Sequence, residues 1–188
     1  MRISIIGTGM IATEVISMLR TEGKGIEITS LFSHSDKDKA QSLAKANRIA
    51  RVYTDYTQLL KEDDADFVYI ALVNSAHYDY VRQALEADRN VIVEKPFTTS
   101  LSQAEELASL ARSRNLYLFE AVSLLHTPNF NLVKDSLTRI APIHLVQCNF
   151  SQYSSRFERY LQGDIAPAFN PKLGGGAMND LNVYNINT

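Results

Sequence analysis

Cysteine is almost absent from this sequence: Cys148 is the single one among 188 residues. That excludes an internal disulfide framework and suits a reducing compartment. Long apolar runs are missing as well. The longest, FVYIALV from Phe67 to Val73, falls far short of the roughly 20 residues a membrane helix needs and reads as a buried strand. Charge of one sign is not in excess. The formal net charge of −2 excludes nucleic-acid or membrane-surface recognition through bulk charge. No internal repeat or low-complexity stretch interrupts the chain. The opening MRISIIGTGM enters a strand without the apolar core of a signal peptide, so the expectation is a soluble, cytoplasmic protein. The histidines His34, His77, His126 and His144 show no ligand spacing, and no metal is expected.

What is there is alternation. RISII (Arg2 to Ile6) precedes a helix carrying Ile11, Val15, Met18 and Leu19 at helical spacing. IEITSLF (Ile26 to Phe32) is a second strand, followed by a helix that Asp36 is placed to cap. RVY (Arg51 to Tyr53), DFVYIAL, NVIVE (Asn90 to Glu94) and LYLFE (Leu116 to Glu120) continue the series. Helical stripes lie between them, Tyr80, Val81, Ala84 and Leu85 in one and Leu101, Ala104, Leu107, Ala108 and Ala111 in another. Near-continuously apolar strands alternating with helices predict an α/β, doubly wound parallel sheet covered on both faces, over residues 1–121. The pattern then changes. NFNLVKDSLTRI reads as a helix, and HLVQCNFSQY alternates, with Val146, Cys148 and Phe150 on one side. Period two with one polar face predicts an antiparallel strand, hence the beginning of an α+β domain over 122–188. One strand cannot form a stable sheet, so the second domain is expected to be incomplete.

GTGMIA closes the first strand and opens the first helix, matching G-x-G-x-x-G/A with Gly7, Gly9 and Ala12. Gly7 permits the tight turn, Gly9 lets a pyrophosphate approach the backbone, and Ala12 allows close helix–strand packing. The helix start, with Thr8, Met10 and Ile11 around it, offers N–H groups and a positive dipole end to phosphates. The bland alternative is a strand–turn–helix corner with no ligand. The turn after the second strand holds Ser33, His34 and Ser35, with no acid directly at the strand end. An acid there selects NAD. Hydroxyls, His34 and nearby Lys37 suit a 2′-phosphate instead, so NAD(P) with a lean to NADP is expected. A solvated turn accounts for Lys37 equally well.

VIVEKPF sets Glu94, Lys95 and Pro96 at the carboxyl end of the fifth strand, the edge where open α/β sheets bind ligands. A lysine there, beside a nicotinamide, donates a hydrogen bond to a substrate oxygen and exchanges a proton with it. A surface Lys–Glu pair beside a turn is the equal alternative on spacing alone.

In this order, GTGMIA, VNSAHYDYV, EKP and GGGAMNDLNVY resemble the Gfo/Idh/MocA oxidoreductases, named for glucose–fructose oxidoreductase and inositol dehydrogenase. The likeness spans the chain, and its Glu-Lys-Pro with Gly-Gly-Gly…Asp is more specific than the phosphate loop. It implies a Rossmann domain, a following open-faced and mostly antiparallel α/β domain that pairs subunits, and an active site between them. Members are usually close to twice this length, so the chain reads as an N-terminal portion. The resemblance makes Lys95 the active-site lysine, matches Asp180 to the aspartate after the glycines, and puts Tyr184 where many members have histidine. Tyrosine there is like the subgroup of dimeric dihydrodiol dehydrogenase. Asn74 and His77 match the segment running past the cofactor, though a helix-start histidine satisfied by backbone is the alternative for His77. Asn182 departs from the family's glycine, and LLHTPN lacks its arginine.

Asp180 and Tyr184 are i and i+4 on the helix that follows the glycines and share a face. The glycines, Gly174 to Gly176, are expected to bring backbone close to the cleft. The resulting expectation is an NAD(P)-dependent oxidoreductase moving a hydride between nicotinamide and a carbinol or carbonyl carbon of a sugar, polyol or cyclic alcohol. Tyr184 is its acid/base, Lys95 polarises the oxygen, and Asp180 orients. The alternatives are a non-catalytic dinucleotide-binding regulator or a truncated remnant. The chain alone is expected to be inactive, and the intact protein a homo-oligomer.

Overall fold

The computed structural model describes residues 1–187, which fall into two units divided between Glu120 and Ala121. In the first, strands β1 (Arg2–Ile6), β2 (Glu27–Phe32), β3 (Arg51–Tyr53), β4 (Phe67–Ile70), β5 (Asn90–Glu94) and β6 (Leu118–Ala121) alternate with helices α1 (Met10–Thr21), α2 (Lys37–Ala46), α3 (Tyr56–Glu62), α4 (His77–Glu86) and α5 (Leu101–Ser113). The sheet order is β3-β2-β1-β4-β5-β6, the doubly wound arrangement, and the pairings from β3 through to β5 are parallel. The order reverses between β1 and β4, which opens a crevice at their carboxyl ends. Ile5, Ile6, Leu31, Ile70, Val91, Val93 and Leu107 are wholly buried. These runs are apolar on both faces because helices remove both from water.

Local signals set the helix starts. Asp36, Asp55 and Ser100 accept hydrogen bonds from the amides of Lys39, Gln58 and Gln103, capping α2, α3 and α5. The ends of α2, α4 and α5 repeat one device. Arg48, Asp88 and Asn115 take left-handed conformations, with φ of 53°, 57° and 55°. The next amide (Ile49, Arg89 or Leu116) then returns to the carbonyl of Ala44, Ala84 or Ala111, at 2.9 Å each time. This is the Schellman closure. It places the sixth strand at Leu118–Ala121 rather than from Leu116.

At the amino edge of the sheet the Asp63 carboxylate is buried. It accepts from the hydroxyls of Ser30 and Thr29 and from Arg51, which also pairs with Asp64. This knot ties β2 and β3 to the end of α3. Asp63→Ala strips the charged acceptor from three donors and is expected to cost about 2–4 kcal/mol. Urea unfolding measures it, and an unchanged midpoint would remove the knot from the sources of stability.

The second unit holds α6 (Pro128–Ile140), α7 (Phe157–Leu161), short 3₁₀ turns at Pro167–Phe169 and Pro171–Leu173, α8 (Ala177–Asp180) and α9 (Asn182–Ile186). The expected strand over His144–Tyr153 is not formed, and its residues are all exposed. Alternation makes a segment fit for pairing, but a strand exists only with a hydrogen-bonded partner, and no strand follows β6 among the described residues. No helix among the described residues is long and apolar enough to cross a membrane.

Candidate active site at the carboxyl edge of the sheet

β1 leads directly into Gly7, whose φ is +122°. Its amide donates to the Phe32 carbonyl at 3.0 Å. A Cβ built there would stand 2.3 Å from the Ala71 carbonyl oxygen, just beyond β4. The chain therefore passes against its neighbour's backbone, and only glycine fits. Gly9, the N-cap of α1, is different. Its φ of −70° and ψ of −177° suit any residue, yet a Cβ there would meet nothing within 4 Å. The gap lies in front of a helix start that no side chain caps and whose first turn holds no acid. Met10 and Ile11 are exposed while Ala12 is wholly buried against the sheet. An open cradle at a positive helix end is what a pyrophosphate requires. The residues fit a dinucleotide.

Beyond β2, Ser33 is buried and its hydroxyl accepts from the Asp36 amide at 3.3 Å. The Asp36 carboxylate caps α2, so it is committed to the helix. His34, Ser35 and Lys37 are exposed. After β4, Asn74 begins a 3₁₀ turn, Asn74–Ala76, and is half-buried.

His77 is fully buried. One ring nitrogen lies 2.9 Å from the Pro96 carbonyl and the other 3.2 Å from that of Leu72. Burial lowers its pKa against the pull of these backbone groups. The ring thus ties the loop after β4 to the loop after β5. Expected to contact cofactor, His77 has both ring nitrogens on backbone carbonyls in the interior.

At the end of β5, Glu94 and Lys95 are half-buried, and the Lys95–Pro96 bond is cis. The Phe97 amide donates to Glu120 Oε1 at 2.8 Å, anchoring the lysine loop to β6. Glu94 Oε1 accepts from the Tyr69 hydroxyl at 2.6 Å. The sequence reading takes Tyr69 and Glu120 only as strand residues, not as part of the site. Tyr69 lies inside an apolar run that looks like core, and only strand pairing shows its partner.

The first unit thus carries Gly7, Thr8, Gly9, Met10, Ile11, Ser33, His34, Ser35, Asn74, Glu94 and Lys95 at or just beyond the carboxyl ends of four neighbouring strands. Asp180 and Tyr184 belong to the second unit. The single helix expected to carry them is broken at Leu181, so Asp180 ends α8 and Tyr184 sits in α9. The Tyr184 amide bonds the Leu181 carbonyl, three residues back, at 3.1 Å. Leu181 keeps right-handed dihedrals, with φ of −110° and ψ of −42°, so the break is one tightened turn between two short helices. The Tyr184 ring stacks on Phe150, centroids 5.2 Å apart and planes at 23°, a partner sequence reasoning missed. The glycines serve the unit's own packing. A Cβ on Gly175 would lie 2.3 Å from the Pro167 carbonyl, and the Gly176 amide donates to Ala168 at 2.8 Å. A groove of about 420 Å³ beside α4, lined by Tyr56, Asp79, Tyr80, Arg82, Gln83 and Glu86, contains none of these residues.

Comparison with known proteins matches residues 1–122 to the Gfo/Idh/MocA family, described as an oxidoreductase family with an NAD-binding Rossmann fold. The uncharacterized oxidoreductase YgjR of Escherichia coli is 32% identical over 97% of this chain and 55% of its own length. IolU of Bacillus subtilis, a scyllo-inositol 2-dehydrogenase (NADP(+)), is 30% identical over 98% of this chain and 56% of its own. Among solved structures, KijD10, a 3-ketoreductase from Actinomadura kijaniata in complex with NADP, is 34% identical with a TM-score of 0.68. That match covers 74% of this chain and 44% of KijD10. The chain spans about half the length of these curated relatives.

Proposed function

This chain belongs to the Gfo/Idh/MocA oxidoreductase family, with its NAD-binding Rossmann fold, and on that premise we propose that it is the cofactor-binding part of an NAD(P)-dependent dehydrogenase or reductase. Its substrate is a sugar, polyol or related cyclic alcohol, oxidised or formed at a CH–OH carbon. The observation that carries the reading is the open space a Cβ at Gly9 would enter, before an uncapped, acid-free helix start, set on the same sheet edge as Glu94 and Lys95. The 2-dehydrogenase and 3-ketoreductase activities named for IolU and KijD10 supply the substrate class.

When bound, the nicotinamide supplies the hydride acceptor or donor. The protein binds, orients and moves the proton. The backbone at Gly9, Met10 and Ile11 holds the pyrophosphate. Lys95 donates to the substrate oxygen and polarises it, Tyr184 exchanges the hydroxyl proton, and Asp180 orients the substrate. The exposed His34, Ser35 and Lys37, with Asp36 spent on its cap, favour a 2′-phosphate and hence NADP. Residues 122–188 are read as the beginning of the substrate and subunit-pairing domain. Their exposed Leu132, Val133, Ile140 and Val146 suit burial against further protein. A single cysteine, Cys148, with no partner for an internal disulfide supports a reducing, cytoplasmic setting.

A dinucleotide that binds only the folded state stabilises it by RT ln(1 + [L]/Kd), about 2.7 kcal/mol at a hundredfold excess over Kd. NADPH should therefore raise the melting temperature of this chain more than NADH does. No shift with either ligand at millimolar concentration would sink the dinucleotide reading. A larger shift with NADH would remove only the preference for NADP.

A further inference from the structure

Tyr69 and Glu94 stand on neighbouring parallel strands, and the register sets Tyr69 opposite Ile92. Side chains two apart on a strand share a face, so Tyr69 and Glu94 project to the same side of the sheet. The 2.6 Å bond from the phenol to Glu94 Oε1 has the length of a hydroxyl on a carboxylate. Tyr69 is 9% exposed, and its carboxylate partner is the residue directly before Lys95.

The electrostatics agree with this geometry. Burial, then the charge of Glu94, pushes the Tyr69 phenol far above its usual range, so it stays protonated and can only donate here. Burial raises the Glu94 carboxyl, while the Tyr69 hydroxyl and then the Lys95 backbone and charge pull it back. The titratable groups that face Glu94 are Tyr69 from β4, Glu14 from α1, which raises it, and its neighbour Lys95.

We infer that Tyr69 is a positioning residue of the site. Its hydroxyl fixes one oxygen of Glu94 and so holds the carboxylate at the carboxyl end of β5 in one orientation, facing the hydroxyl groups of a bound dinucleotide. The inference rests on the dinucleotide reading above and adds to it a residue that touches neither cofactor nor substrate. Without the phenol, Glu94 loses the donor that favours its charged form, protonates at higher pH, and no longer presents a fixed acceptor.

The test is NADH affinity between about pH 5 and 9 for the full chain, Tyr69→Phe and Glu94→Gln, NADH being chosen because it carries no 2′-phosphate to titrate in that range. Wild-type affinity should be high at the alkaline end and fall as Glu94 gains its proton. In Tyr69→Phe the fall should begin about one to two pH units higher, the size of one hydrogen bond to a charged group. In Glu94→Gln that step should vanish. Carboxyl ¹³C resonances of the cofactor-free chain, with the Glu94 signal assigned by its loss in Glu94→Gln, should show the same upward move in Tyr69→Phe. Superimposed wild-type and Tyr69→Phe profiles with an unmoved resonance would overturn the inference while leaving dinucleotide binding intact. A pH step that survives in Glu94→Gln would overturn it too, even if Tyr69→Phe failed to fold. Absence of NADH and NADPH binding to the wild-type chain at any pH would defeat the cofactor reading and this inference together.

Discussion

Lys95→Ala and Tyr184→Phe should each lower kcat by about 10²–10⁴-fold in the intact gene product, the usual contribution of a positioned acid or base. Neither change should weaken cofactor binding by a comparable factor. Tyr184→Phe keeps the ring that stacks on Phe150 and removes only the hydroxyl, so the local packing stays and proton exchange goes. Lys95→Ala removes a half-buried ammonium group from a loop that other residues hold, through His77 to Pro96 and Glu120 to Phe97. The loop should keep its course, and NADPH should protect both variants against heat as it protects the parent. Steady-state turnover of a sugar and polyol panel is the measurement. Near-normal kcat in both variants would show that the acid/base groups lie elsewhere, whatever the family.

Two glycines two residues apart should respond in opposite ways to the same methyl group. Gly7→Ala puts a Cβ 2.3 Å from the Ala71 carbonyl oxygen at a φ of +122°. The neighbour is backbone and cannot swing aside, so strain and clash add. The expected loss is about 3–5 kcal/mol, a large share of the roughly 5–15 kcal/mol that holds a domain folded. Gly9→Ala meets nothing within 4 Å at dihedrals any residue adopts. Its stability should change by less than about 1 kcal/mol, with a gain through the stiffer unfolded chain. Its methyl group instead fills the space in which a pyrophosphate would sit, so NADPH affinity should drop at least about tenfold, equivalent to about 1.4 kcal/mol. Urea unfolding and a fluorescence titration separate the two effects. A Gly9→Ala chain that binds NADPH as tightly as the parent would mean that the cradle is not the phosphate site. Equal stability losses at both positions would contradict the open geometry at Gly9.

What the sequence determined by itself was what depends on near neighbours along the chain. Apolar residues in unbroken short runs, alternating with stripes at helical spacing, can only be buried by a parallel sheet between helices. The six strands and the loops around Gly7, Gly9 and Lys95 follow from that, as does the cap at Asp36, since each is decided within a few residues. The helix ends at Arg48, Asp88 and Asn115 were not legible: Asp and Asn favour the left-handed region but Arg does not, and the turn is imposed by the strand that must follow. Nor was the partner of Tyr69, which depends on β4 pairing with β5 in one register. His77 belongs with it, since a histidine in a motif looks the same whether it faces a ligand or two carbonyls. In the second unit, alternation over His144–Tyr153 stated a fitness for pairing, not a pair, and the spacing of Asp180 and Tyr184 did not show that Leu181 divides their helix in two. Periodicity is fixed by the covalent geometry of one segment. Which groups meet is fixed by the packing of segments distant in sequence, and that only the tertiary structure decides.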